Sequence, residues 1–416
     1  MKVCFLLHQG SMFSGGQGIY LHHLTRELAA LGNEVHVIGG PPYPELAEGV
    51  HLYKVPSYSI YRLMETGRIF FFGRDPLSFF HPLNFSEIAS SRVGMFSVMG
   101  AFSFRAYRKL CELAGRHRFD IIHDVQGLGY GDLLIKSSGL PMVATIHHPL
   151  QVDRANSIRQ MRTLGDKVKW TKFYPFFMQE IVARRMDRII TGSHNSAASV
   201  AREFRLPPER VAVIYDGVDI DIFRPVEAPK QSGSILYVGN SDDRNKGARY
   251  LLEALALLRD GRDFRLTVVD RPIAMLVPAL AKELGIEGRV RVTGRVSRDE
   301  LVRLYNEAEI LVSPSLYEGF GLPAAEALAC GTPVIATTAG AFPEVIEDGV
   351  SGLLVRPGDA RVLADAIGRL LDDGALRRRL GQEGRRRIVD HFSWRETAVQ
   401  TLALYQDVLS ERKRGR

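Results

Sequence analysis

The chain has 416 residues, 45% of them hydrophobic and 24% charged, with a formal net charge of +7. This length and balance exclude a disordered or fibrous polypeptide and provide for two folded domains, while the basic excess suits an anionic partner, whether a nucleotide, an anionic membrane surface or nucleic acid, and charge alone does not choose among them. Cys4, Cys111 and Cys330 are few and far apart, which excludes a disulfide framework and fits packing residues in a reducing compartment.

The opening "MKVCFLLHQG" has too short an apolar run for a signal peptide and reads as a buried strand. After it come the glycine turn "SGGQG", then Tyr20, Leu24, Leu28 and Leu31 at helical spacing, then Gly32 and "EVHVI", together a β-α-β unit. Strands follow at "FDIIHDV", "PMVATIHH", "RIITGS" and "RVAVIYDG", each separated by enough chain for a crossover helix, so the sheet is expected to be parallel. The first domain is placed at residues 1–225. Beyond the polar "VEAPKQSGS" the pattern restarts with "ILYVGN", "RLTVVD" and "RVRVTG", and "SRDELVRLYNEA" opens with a capping-box spacing at Ser297 and Glu300. "EILVSPS", "TPVIATT" and "GLLVRP" complete a second parallel sheet, giving a domain at 226–392. The remaining residues, 393–416, form a long amphipathic helix expected to cross back to the first domain. Two Rossmann-like, doubly wound α/β domains predict an interdomain cleft at the carboxyl ends of both sheets. No apolar run approaches the roughly 20 residues that span a bilayer, so a cytoplasmic location is expected, with room for peripheral contact on the inner face of the membrane.

Two segments break this rhythm. Residues 60–104 mix "IFFFG", "LSFFHPLNF" and "GMFSVMGAFSF" with Arg62, Arg68, Arg74 and Arg92, and residues 154–188 set Trp170, Phe173, Tyr174, Phe176 and Phe177 among basic residues. They are read either as cover for the first domain's core or as a surface for an acceptor or a membrane interface. Nucleic acid is not expected as a partner.

In "SLYEGFGLPAAEALACG", Glu318 precedes a glycine turn and Glu326 lies in the opening turns of a helix beginning near Leu322. Glycines allow backbone amides to approach a ligand, and a helix amino terminus adds partial positive charge, so the turn suits a phosphate. Carboxylates repel phosphate, so the glutamates are expected to meet neutral hydroxyls on either side of it. A nucleotide-sugar has that layout.

The glutamate pair around "GFGLPAAEALACG", with "YVGNSDDRNKG", "VIYDGVDIDIFRP", "GGQGIYLHHLTRELAALGNEVHV" and "FSWRETAVQTLALY", resembles the retaining GT-B glycosyltransferases of family 4. The resemblance spans nearly the whole chain except 60–104 and about 154–180. It implies that Glu326 holds the donor ribose, that Glu318 meets the sugar hydroxyls, and that backbone groups of Gly319, Phe320, Gly321 and Leu322 line sugar and diphosphate. Lys246 matches the lysine that neutralises the departing diphosphate. The family's second phosphate-binding arginine is replaced by Asn240, and Arg244 is the nearest substitute charge. Arg295 in "VTGRVS" is expected beside the nucleobase, which stays open between uracil and guanine.

His147, at the end of a first-domain strand, matches a histidine near the transferred sugar, whereas neighbouring His148 is expected to point elsewhere. Gly16, in a turn that resembles a dinucleotide fingerprint only weakly, is the candidate for approach to the donor phosphate. Transfer is expected to retain the anomeric configuration and to need neither metal nor cofactor. Asp242 and Asp243 read as loop residues, and no histidine and carboxylate cluster has ligand spacing along the chain. The partners implied are a nucleotide-sugar and an acceptor glycan, lipid or small molecule in glycan biosynthesis. The competing readings are a sugar-nucleotide epimerase of the same fold and a non-catalytic nucleotide-sugar binder. A nicotinamide oxidoreductase has only the amino-terminal glycines in its favour. A glycoside hydrolase would place its carboxylates across a cleft.

Overall fold

A computed structural model describes residues 1–10, 16–58, 81–92, 98–147, 149–151, 163, 177–271 and 275–414. Most of the aromatic and basic segments, including Trp170, Phe173, Tyr174 and Phe176, and also His148, lie outside these residues. The chain forms two compact units, one of Met1–Gly192, Ser196–Ile214 and Ala398–Arg416, the other of Ser193–Asn195 and Tyr215–Thr397.

The first unit is built on β1 (Lys2–Leu7), β2 (Glu34–Gly39), β3 (His51–Lys54), β4 (Ile121–Val125), β5 (Met142–Thr145), β6 (Arg188–Thr191) and β7 (Val211–Val213), in the order β3-β2-β1-β4-β5-β6-β7. Every pairing is parallel. The inner strands are apolar at nearly every position because helices cover both faces; Val3 to Leu7 are fully buried. The strands read from the sequence are present, and β3 is added to them. "HLYK" mixes half-buried and exposed positions, as an edge strand does, and so lacks the continuous apolar run that marked the others. The strand read through "PMVATIHH" ends at Thr145, leaving His147 in the turn beyond it.

Helix Gln17–Ala30 starts at Gly16, whose φ of 69° places it in the left-handed region that glycine adopts without strain. Its buried Tyr20 joins a chain of polar groups through the core. The Tyr20 hydroxyl lies 2.9 Å from Thr145 Oγ1, Thr145 Oγ1 lies 2.7 Å from His123 Nε2, and His123 Nδ1 lies 2.5 Å from the hydroxyl of Tyr405. Burial pushes His123 down to about 3, so the ring is neutral and needs one donor and one acceptor. Tyr405 belongs to the last helix, Trp394–Arg414, whose Ala398, Thr401, Tyr405 and Val408 are buried.

The second unit carries β8 (Ser234–Val238), β9 (Arg265–Val269), β10 (Val290–Gly294), β11 (Ile310–Ser313), β12 (Val334–Thr337) and β13 (Leu353–Val355), in the order β10-β9-β8-β11-β12-β13 and all parallel. Helices Ala248–Leu258 and Ala360–Asp372 put Leu251, Leu252, Leu255, Leu363 and Ile367 against this sheet. Helix Arg298–Glu307 starts where the capping spacing placed it, with the amide of Glu300 donating to Ser297 Oγ at 3.2 Å. Among the described residues no helix is long and apolar enough to cross a membrane.

Replacing Tyr405 by Phe leaves a ring nitrogen of buried His123 without its partner. Urea unfolding of the full chain is expected to show a loss of about 1–3 kcal/mol. An unchanged unfolding curve would show that His123 finds another partner.

Candidate active site

Two loops of the second unit meet at the carboxyl ends of β8 and β11. The first leaves β8 at Gly239, passes Asn240, Ser241, Asp242 and Asp243, and turns through the 3₁₀ segment Arg244–Lys246 into Gly247. Its two aspartates are structural. Asp242 accepts from the amides of Met275 at 3.1 Å and Leu276 at 2.9 Å, capping helix Leu276–Glu283, and Asp243 Oδ1 accepts from the amide of Asn245 at 2.9 Å. Gly247 (φ 67°) has no room for a side chain, since a β-carbon there would lie 2.0 Å from the carbonyl oxygen of Pro314. The amide of Leu316 donates to the carbonyl of Asn245 at 2.7 Å, fastening the two loops together.

This contact brings Lys246 onto Glu318. Lys246 Nζ donates to Glu318 Oε2 at 2.8 Å, and Ser315 Oγ donates to the same oxygen at 3.2 Å. The Glu318 backbone is held from the other side, where the amide of Ala341 donates to its carbonyl at 3.1 Å and Gly340 (φ 62°) sits too close to carry a β-carbon.

Helix Leu322–Ala329 begins after Gly321, whose φ of 96° again demands glycine, with Pro323 in its first turn. Phe320 is buried, with its ring 5.7 Å from that of Phe392, so it turns its side chain into the core and leaves its backbone at the loop. Glu326 is also buried. The Tyr305 hydroxyl donates to its Oε2 at 2.7 Å, and Arg298 acts on it at longer range, yet loss of solvation outweighs both and pushes its carboxyl up to about 7. Of the two glutamates, one is ion-paired and the other is buried with a phenol.

The turn at Asn240 has a further property. Tyr237 OH, Asn240 Oδ1 and Ser241 Oγ are buried atoms without a hydrogen-bond partner among the described residues. Buried polar atoms are nearly always satisfied, so this group of three marks a place where a polar ligand or water completes the bonding. Arg244 is exposed at the adjacent turn, and Arg295 is exposed just after β10.

The first unit brings Gly16 and His147 near one another through Tyr20. The Tyr20 amide donates to the carbonyl of Gly16 at 2.8 Å, and its ring meets that of His147 edge-on at 4.9 Å. The turn carrying His147 is held by two buried glutamines. The His147 amide donates to Gln126 Oε1 at 2.8 Å, Gln179 Nε2 donates to the carbonyl of Gln126 at 3.1 Å, and the Leu150 amide donates to Gln179 Oε1 at 3.2 Å. Gln126 and Leu128 have left-handed φ values of 62° and 48°, a costly state for residues with a β-carbon. Asp124 Oδ2 stabilises it by accepting from the Leu128 amide at 2.6 Å.

Sequence reasoning named Lys246, Glu318 and Glu326 but not Ser315, Tyr305, Tyr237, Gln126 or Gln179. Only the two glutamines in otherwise apolar surroundings offered a signal, since a buried amide side chain needs a purpose.

The model of the family "Glycosyl transferases group 1" matches residues 219–387, and that of "Glycosyltransferase Family 4" matches residues 68–222. An MMP alpha-(1->4)-mannosyltransferase of Mycolicibacterium hassiacum is 40% identical over 420 residues, covering 99% of both chains. Among solved structures, sucrose-phosphate synthase of Thermosynechococcus elongatus superposes with a TM-score of 0.76 at 24% identity, covering 99% of this chain and 100% of that one. HepE of Anabaena, solved in complex with UDP-glucose, superposes with a TM-score of 0.68 at 19% identity over 99% and 100% of the two chains.

Burial of Glu326 makes a thermodynamic prediction that needs no ligand. Its folded-state pKa lies above the ordinary 4.5, so the folded chain binds this proton more tightly than the unfolded chain. Stability therefore falls as pH rises from about 4.5 to about 7 and stays lowered above that. In urea unfolding, Glu326→Gln is expected to gain on the unmodified protein between pH 5 and pH 8 by an amount on the order of 3 kcal/mol. A difference independent of pH would show that Glu326 is charged throughout.

Proposed function

Because the chain belongs to the family 4, group 1 glycosyltransferases of GT-B fold, we propose that it transfers a hexose, namely mannose, from a nucleotide-diphosphate sugar to a glycan hydroxyl with retention of configuration. The observation that carries the reading is the 2.8 Å pair of Lys246 and Glu318 at the glycine turn that opens the helix of buried Glu326. A cation, the start of a helix and two carboxylates are the groups needed for a diphosphate flanked by a sugar and a ribose.

Lys246 shifts part of its charge from Glu318 to the diphosphate as the bond to the sugar breaks. Charge developing on a leaving group in a water-poor site gives such an ammonium its largest effect. Glu318 then accepts from hydroxyls of the sugar, and Glu326 from the ribose. Arg244 supplies the second positive charge that Asn240 does not, and Asn240, Ser241 and Tyr237 offer neutral bonds to the same ligand. Arg295 contributes backbone contacts beside the base, which is guanine or uracil.

In the transfer, the bond from the anomeric carbon to the β-phosphate oxygen breaks, and the bond to the acceptor oxygen forms on the same face. The acceptor's proton passes to the departing phosphate oxygen. The protein positions the reactants and stabilises charge; no metal ion is required in this scheme, since Lys246 and the helix terminus carry the positive charge. Mannose and an α-glycosidic product are suggested by the name of the relative at 40% identity, and an α-product from an α-linked nucleotide-sugar is retention. Exposed Phe85, Phe104 and Phe177 favour an amphipathic acceptor, such as a lipid-linked glycan, and peripheral contact with a membrane.

The test is binding and turnover of GDP- and UDP-linked mannose and glucose in the presence of EDTA, with an oligomannoside acceptor and an NMR assignment of the anomeric product. One nucleotide class is expected to bind, with an α-product and a rate unaffected by EDTA. Glu326→Ala is expected to lose at least about tenfold in donor affinity, the scale of a charge-assisted bond of 1.5–3 kcal/mol. Lys246→Ala is expected to lose about 10²–10³ in kcat. Donor consumed with no acceptor product would replace transfer by epimerisation or hydrolysis. An Asn240→Arg variant with unchanged donor affinity would support Arg244 as the substitute charge.

A further inference from the structure

At the amino ends of the strands of the first unit, Glu34, His36 and His117 come together. Glu34 and His36 are two apart on β2 and so share a face, and His117 follows helix Val98–Ala114. Glu34 Oε1 is 2.9 Å from His36 Nε2 and 3.7 Å from His117 Nδ1, and the three ligand atoms all lie within 4.8 Å of one another. We propose that these three side chains bind one divalent transition-metal ion of the zinc type, with water in the fourth position.

Two imidazoles and a carboxylate are a donor set that zinc takes in sites with an open position. Tetrahedral bonds of about 2.0–2.1 Å place ligand atoms about 3.3 Å apart, and the two measured separations bracket that spacing. The His117 Nδ1 atom is buried and among the described residues has no hydrogen-bond partner, so it offers a lone pair toward the centre.

The groups behind the ligands fit the same ion. The Tyr53 hydroxyl lies 3.2 Å from His36 Nδ1 and 3.5 Å from His117 Nε2. With a metal on His36 Nε2 and His117 Nδ1, those two outer nitrogens carry the protons, and one phenol oxygen accepts from both. A single residue of this kind fixes the tautomer and ring angle of both ligands. Phe119 and the ring of His51, at the paired position on β3, pack against His36 at 5.1 and 4.8 Å. Lys2 Nζ occupies the other oxygen of Glu34 at 3.0 Å. It opposes a cation weakly, because both side chains are well exposed and solvent screens the pair. The site lies at the end of the sheet opposite the turns of Gly16 and His147, so its effect is to clamp β2 to the segment after Val98–Ala114 rather than to take part in sugar transfer.

The full-length chain without an affinity tag, stripped by chelator and gel-filtered, is titrated with zinc sulfate against a chromophoric zinc indicator. One zinc per chain is expected. His117→Asn and Glu34→Gln, both at partly exposed positions, are each expected to weaken binding at least tenfold, and Tyr53→Phe by about 10–100-fold, with circular dichroism unchanged. Cobalt(II) is expected to give tetrahedral visible bands that His117→Asn removes. Zinc bound equally well by His117→Asn and Glu34→Gln, or lost on replacing exposed Cys111 by Ser instead, overturns the proposal, as does the absence of stoichiometric binding.

Discussion

The absence of a β-carbon at Gly247 lets one turn rest on the carbonyl of Pro314, and the charges of the second unit are arranged around that contact. Any larger residue there would separate the loop of Lys246 from the loop of Glu318, since the bond from Leu316 to Asn245 would be lost with it. Gly340 does the same on the far side of Glu318. The carboxylate is thus gripped between two backbone approaches, and its side chain has a fixed direction before any ligand arrives. Preorganisation of this kind matters because a charged group already in place costs no reordering when the transition state forms.

The two glutamates illustrate how one residue type acquires two characters. Glu318 has an ammonium and a hydroxyl on a single oxygen, so its charge is compensated locally. Among the described residues Glu326 has the Tyr305 phenol as its direct side-chain partner and is buried, so its carboxyl is pushed up to about 7. A group in that condition gains from a ligand that donates two hydrogen bonds to it, because the ligand replaces the solvation that folding removed. The ribose proposed for Glu326 rests on the resemblance to the family, and loss of solvation gives that proposal a physical reason.

Much of this was legible in the sequence because the controlling features are local. Glycine followed by proline at a helix start, alternating strand and helix periods, and Ser297 three residues before Glu300 each act within one turn of chain. What could not be read depends on contacts between distant segments. Ser315 and Tyr305 look like ordinary loop and helix residues until the fold sets them on the glutamates. The Glu34, His36 and His117 cluster has no ligand spacing, since His117 comes from a separate part of the chain that packing alone brings beside β2. β3 was missed because an edge strand is only half apolar. "VATIHH" reads as a strand through His147 because it is apolar up to the turn, and the backbone leaves the sheet just where Gln126 captures the His147 amide.

The first unit then raises the question of why so many polar groups are buried on one sheet. Tyr20, Thr145, His123 and Tyr405 form one unbroken relay, and Gln126 and Gln179 form a second next to it. An apolar core would be cheaper, because every member of such a chain must be satisfied at once. A relay does what dispersion contacts cannot, since it fixes angles. The ring of Tyr20 is oriented by its hydroxyl bond to Thr145 and in turn faces His147, while the His147 amide is held by a glutamine kept in a left-handed conformation. The strain at Gln126 and Leu128 is stable only because Asp124 and the carbonyl of Thr145 bond both amides. Side chain and backbone of His147 are therefore set independently, from opposite directions, by groups whose own positions are fixed by the core.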